Sequence, residues 1–172
     1  GTLLMRYLGE MAGRTPIRAA VAVSAPLAYQ AHGSMLASAP LMSFVMTLMV
    51  KKWMWSKRSQ VEGLTNLRMG DLVRARSIHE LLDLLAPLHG FRDAQHYFAM
   101  NDPEPKMGNI ACPVLLISAA DDPIIQPVPY EAIRANPNLV MAETLGGSHL
   151  GWAGSASGWG PTICGSWADS LA

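Results

Sequence analysis

Three short apolar runs constrain this chain more than any other feature. They are IRAAVAVSAP (17–26), CPVLLISAADDP (112–123) and LVMAETLGG (139–147). The first two are apolar on both faces and predict buried strands of a parallel sheet, and the last predicts a third strand. Helical patterns stand between and before them. TLLMRYLGEMAG sets Leu3, Leu4, Tyr7, Leu8 and Met11 at helical spacing, with Gly13 as the expected C-cap. PYEAIRANPN predicts a short helix closed at Asn136-Pro137. Alternation of helix and strand with short links implies α/β architecture, interrupted by a long helical insertion after the first strand.

The chain has 172 residues, enough for one domain with a sizeable core. Its formal net charge of +0 argues against a nucleic-acid partner, which asks for a basic face. Cys112 and Cys164 are far apart, without CxxC spacing or clustered histidines, so neither a zinc site nor a disulfide is expected. Cys112 is expected to be a buried, inert thiol. The apolar window 35–50 is interrupted by Pro40 and is shorter than the ~20 residues a spanning helix needs. No basic region followed by an apolar one opens the chain, so no signal peptide is read.

Within the insertion, Ser77 and Glu80 form a capping-box pattern ahead of an apolar run. Met42, Met46 and Met49 are helix-spaced and expected in a core, with an acyl-chain pocket as the alternative. Trp53 and Trp55, among Lys51, Lys52, Lys57 and Arg58, suit either peripheral contact with a membrane or a solvated basic loop. His89 and His96 are seven apart, not the i, i+4 of a metal-binding helix pair. His32 and His79 read as surface or cap residues.

Open α/β sheets set their reactive groups at the carboxyl ends of strands. Here Asp121 and Asp122 follow the second run, and His149 follows the third, 27 residues beyond Asp122. Adjacent parallel strands would bring the two turns together. An aspartate accepting from one imidazole nitrogen fixes the tautomer and frees the other nitrogen to take a proton. The bland reading is an acidic turn and a loop histidine.

The segments GTLLMRYLGE, VAVSAPL, LHGFRDAQHYF, CPVLLISAADDPI and AIRANPNLVMAETLGGSHLGW occur in an order that resembles the α/β-hydrolase-domain lipases and esterases. The closest branch in that resemblance is the AB hydrolase 4 family, with its embryogenesis-associated plant proteins. The likeness covers nearly the whole chain and is weakest over 35–70 and in the tail. It implies Asp122 as triad acid and His149 as base, with Asp121 shaping the turn or, alternatively, exchanging roles with Asp122. It implies no metal or organic cofactor, and lipid or small-molecule esters as substrates. It further implies a helix after the nucleophile turn plus a strand in 1–29, a helical cap in 30–105, and the strands bearing the Asp and His loops in 106–172.

One departure from that family is plain. Its nucleophile lies in a G-x-S-x-G-G turn directly before a helix like TLLMRYLGE, and no G-x-S-x-G occurs in residues 1–172. The expectation is therefore the C-terminal half of an α/β-hydrolase fold, with its serine just upstream of Gly1 and no ester hydrolysis by this chain alone. Any targeting or anchoring segment is expected upstream as well. Ser24 lacks the flanking glycines of a nucleophile turn, and Ser148 reads as a loop hydroxyl. The alternative from another class is a non-catalytic binding module on the same fold.

Overall fold

The computed structural model describes residues 1–31, 40–64, 67–149, 152, 165–167 and 169–170, the side chain of Leu64 excepted. The three apolar runs form one parallel sheet in the order β1 (Ala20–Val23), β2 (Val114–Ala119), β3 (Leu139–Thr144). Val23 pairs with Ile117, and Ala119 pairs with Thr144, so β2 and β3 end level with each other. β2 is the central strand and is buried at every position, which is why it carries no polar alternation.

Each strand is shorter than the apolar run that announced it. β1 stops at Val23 because Ser24 turns into the left-handed region, at φ 46°, while its N–H still donates to Ile117 O. β2 stops where Asp122 N–H donates back to Ala119 O and closes a turn.

Helix α1 (Thr2–Met11) buries Met5 and Leu8 against the sheet residues Ala20, Ala22, Val114 and Leu116. Its Gly9 lies against the 3-10 turn Glu104–Asn109, where a Cβ would stand 2.6 Å from Lys106 O. The left-handed kink that ends α1 falls on Ala12 (φ 49°), not on the expected Gly13, which sits inside a 3-10 turn at Ala12–Arg14. At the sheet's other end Asn136 is buried. Its Nδ2 donates to Met107 O and Ile110 O at 2.8 and 2.9 Å, and its Oδ1 accepts from Asn138 N–H. One amide thereby joins the approach to β2 to the approach to β3. Cys112 is a buried free thiol, and burial raises its pKa above the ordinary thiol range. Cys164 and His32 lie outside the described residues.

The chain forms two compact units, residues 1–32 with 101–172, and residues 33–100. In the first, the chain's departure after β1 and its return before β2 meet at a single carboxylate. Asp102 accepts the N–H groups of Tyr29 and Gln30 at 3.1 and 2.9 Å, and that of Glu104 at 3.0 Å.

The second unit is helical and has its own core. It holds α2 (Pro40–Ser56), α3 (Arg58–Leu64), α4 (Met69–Arg74), α5 (Ile78–Leu85) and most of α6 (Ala94–Asn101). Met54, Met69, Leu72, Ile78 and Leu81 are buried together, with Met42 and Met46 packed against them. Met49 instead faces outward, against the expectation of a core position. The Ser77 capping pattern forms: Ser77 Oγ accepts from Glu80 N–H, and Glu80 Oε2 accepts from Arg76 N–H, one residue before the cap. Among the described residues, no helix is long and apolar enough to cross a membrane.

Candidate active site

Past Ala119 and Thr144 the two strands keep one more link, Ala120 N–H to Thr144 O at 2.8 Å, and then open into two turns. The turn after β2 carries the acids. Asp122 has a side chain with 0% exposure, and its Oδ1 accepts Ile124 N–H at 2.8 Å, an Asx turn that orients the carboxylate. Its other oxygen, Oδ2, lies 2.9 Å from His149 Nδ1. A carboxylate has no proton to give, so Nδ1 is the donor, and in the neutral ring this leaves Nε2 with its lone pair. The imidazole keeps 32% of its surface exposed, and its hydrogen bond among the described residues is to Asp122 alone.

Asp121 points elsewhere. Its Oδ1 accepts Ser148 N–H at 2.8 Å, so adjacent acids hold adjacent residues of the histidine loop. The loop needs holding, because Ser148 is in the left-handed region at φ 51°, a conformation costly for a residue with a Cβ. Further support comes from Thr144, whose Oγ1 donates to Gly146 O at 3.0 Å and accepts from Trp152 Nε1 at 2.9 Å. The indole lies so close to Gly147 that a Cβ there would meet Trp152 Nε1 at 2.4 Å. Only glycine lets the ring and the loop backbone approach in this way.

The structure therefore brings Asp122 and His149 together and joins Asp121 to the backbone beside them. Asp121, expected to shape the turn, does so by holding the neighbouring histidine loop, whereas the parts played by Thr144 and Trp152 have no counterpart in the sequence reading. Of these, Trp152 had a signal, its place three residues after the histidine in GSHLGW. Ser148 contributes its backbone N–H to the clasp. Ser24 is buried at the end of β1, and its Oγ has no partner among the described residues. The neighbouring Ser118 Oγ, also buried, is likewise unpartnered among them. His96 Nδ1 accepts Arg92 N–H at 3.1 Å, a local turn contact, and His79 stacks on Phe98 at 5.9 Å. Among the described residues no cluster of three His, Cys, Asp or Glu is placed to hold a metal.

The arrangement can take up a proton at Nε2 and stabilise the resulting imidazolium with a buried carboxylate, the chemistry that general acid–base catalysis requires. No protein-family model matches the chain. Curated relatives do. A monoacylglycerol lipase of Saccharomyces cerevisiae is 27% identical over 91% of this chain, and phospholipase ABHD3 of Mus musculus is 27% identical over 88%. A putative esterase, YheT, of Escherichia coli is 30% identical over 90%. The chain spans 37%, 38% and 46% of the lengths of these three proteins.

Proposed function

Because the chain belongs to the α/β-hydrolase family, we propose that it carries the acid and the base of a serine hydrolase acting on carboxylic esters, lipid esters above all. The observation that carries this reading is the 2.9 Å contact between Asp122 Oδ2 and His149 Nδ1 at the ends of neighbouring strands. The names of the relatives (lipase, phospholipase, esterase) support the same chemistry.

In this proposal the attacking hydroxyl comes from a G-x-S-x-G-G turn that residues 1–172 do not contain. Its oxygen attacks the ester carbonyl while His149 Nε2 takes its proton, and Asp122 compensates the imidazolium. The tetrahedral intermediate then expels the alkoxide, which leaves as the alcohol with that proton. Water, deprotonated by the same nitrogen, hydrolyses the acyl-enzyme and regenerates the serine. The 172-residue chain alone is proposed to be inactive toward esters, and the helical stretch 30–105 is proposed to be the cap over the site.

The test is to extend the chain with an upstream segment bearing the G-x-S-x-G-G turn and to assay a short p-nitrophenyl ester. His149→Ala and Asp122→Ala should each lower kcat by orders of magnitude. Losses within about threefold would overturn the assignment of both residues, since relay members typically cost far more. An extended chain with the serine present and no turnover would favour the non-catalytic binding module.

A further inference from the structure

Helix α2 is apolar on its outer face as well as its inner one. Along its outer face Leu41, Val45, Leu48, Lys52 and Trp55 follow one another at spacings of four, three, four and three, a single stripe. The apolar members are all exposed, Leu41 by 76%, and beside them Met49 and Trp53 expose 67% and 63%. The opposite, inner face packs Met42, Met46 and Met54 into the helical core and also buries two hydroxyl residues, Ser43 and Thr47, at 4% and 2%. Both are satisfied there: Ser43 Oγ accepts Ile78 N–H at 3.3 Å and caps α5 from outside, and Thr47 Oγ1 donates to Ser43 O. With its inner face already seated in the core, α2 still presents Leu41, Phe44, Leu48 and Trp55 outward, an exposed apolar surface of the kind that marks a docking site.

The charge on this segment says what that is. Lys51, Lys52, Lys57 and Arg58 lie in or just after α2, and no acidic residue occurs from 40 to 61, in a chain whose formal net charge is +0. Lys51 is engaged with Val73 O and Ala75 O at the end of α4. Lys52 and Lys57 are exposed and in no ion pair among the described residues. Arg58 lies over the Trp55 ring, 5.9 Å from its centroid, which keeps the indole and the cation on one edge. Next to the stripe, α2 and α4 enclose an open groove of about 340 Å³, with Leu48, Trp55, Met69 and Val73 as walls and Lys51 and Lys52 among its lining.

We propose that the outer face of α2 docks on an anionic lipid surface. α2 lies in the plane of the interface with Leu41, Phe44, Val45 and Leu48 at the acyl boundary and Trp53 and Trp55 at headgroup depth. Lys52, Lys57 and Arg58 reach the lipid phosphates and carboxylates, Lys52 by extending its stem along the apolar stripe. With 17 residues α2 is about 25 Å long, suited to lying on a bilayer. A second copy of the chain meets the apolar requirement but not the electrostatic one. A twofold interface on this face would set the same cations against themselves. This proposal is independent of the ester-hydrolase reading, because binding needs no turnover.

The experiment is co-sedimentation of the full chain with phosphatidylcholine vesicles, with and without about one-third phosphatidylserine, alongside tryptophan emission. Binding is expected only with phosphatidylserine, with a blue-shifted emission and loss in high salt. Lys52→Glu combined with Lys57→Glu should weaken binding about tenfold or more. Leu48→Ser with Trp55→Ser should abolish the blue shift. The charge variant leaves the buried face of α2 untouched, and an unchanged far-UV spectrum certifies its fold. Equal binding to both vesicle types, undiminished binding by the charge variant, or no binding at all would each overturn the proposal. So would a dimer on size exclusion that Leu48→Ser dissociates without any vesicle binding by the parent chain.

Discussion

The carboxylate of Asp121 receives the backbone N–H of Ser148 at 2.8 Å, one residue before the imidazole that Asp122 holds at 2.9 Å. Two consecutive acids thus divide the labour, one fixing the loop and the other the ring. In the extended chain proposed to hydrolyse esters, Asp122→Asn should lower kcat by orders of magnitude. Asp121→Asn should cost about tenfold, the equivalent of one lost charge-assisted hydrogen bond. Steady-state kinetics on a p-nitrophenyl ester separates them, and the reverse ranking would exchange their roles.

Gly147→Ala should disrupt the histidine loop. The new Cβ would stand 2.4 Å from Trp152 Nε1, so the indole must leave Thr144 or the loop must shift. A loss of about 1–3 kcal/mol is expected from such overpacking. Denaturant unfolding reports the loss, and a red shift of tryptophan emission reports the displaced ring.

Gly9→Ala tests the seating of α1. Helix propensity favours alanine by about 1 kcal/mol, but the added methyl would lie 2.6 Å from the rigid carbonyl of Lys106. Net destabilisation is expected, and a raised denaturation midpoint would show that the 3-10 turn yields easily.

Glu10 supplies a pH dependence with a definite sign. Its hydrogen bond from Lys106, then that from Arg6, holds its pKa below the usual glutamate value. The stabilisation is therefore complete above the unfolded-state pKa and is lost as pH falls through the lowered folded value. Glu10→Gln should be less stable than the parent at neutral pH, with the gap closing on acidification. The effect is small, because the pair is solvent-screened. Urea titrations at several pH values measure it, and a gap that widens in acid would reverse the sign.

The strands were legible because β1 and β2 are almost wholly Val, Leu, Ile and Ala, and β3 opens on Leu-Val-Met-Ala, each with turn residues behind it. Their ends were not, since the left-handed turn at Ser24 has no local composition to announce it. The meeting of Asp122 with His149 could be anticipated from parallel strand ends, which bring successive loops side by side. Thr144 could not be anticipated as a hub, because its partners at Gly146 and Trp152 are set by how the loop folds back. α2 was the least readable element. Apolar residues surround it, so periodicity could not say that Ser43 and Thr47 would go inward and Met49 outward.

Asp102 has a consequence for how this protein can vary. The stretch 33–100 leaves and re-enters the sheet unit at Tyr29–Gln30 and Asp102–Glu104, where one carboxylate gathers three amides. A clasp of this kind makes the insertion a graft: its length and surface can drift or be exchanged while the sheet and its two turns keep their geometry. The sheet unit then works as a fixed handle, and the helices between act as the interchangeable head.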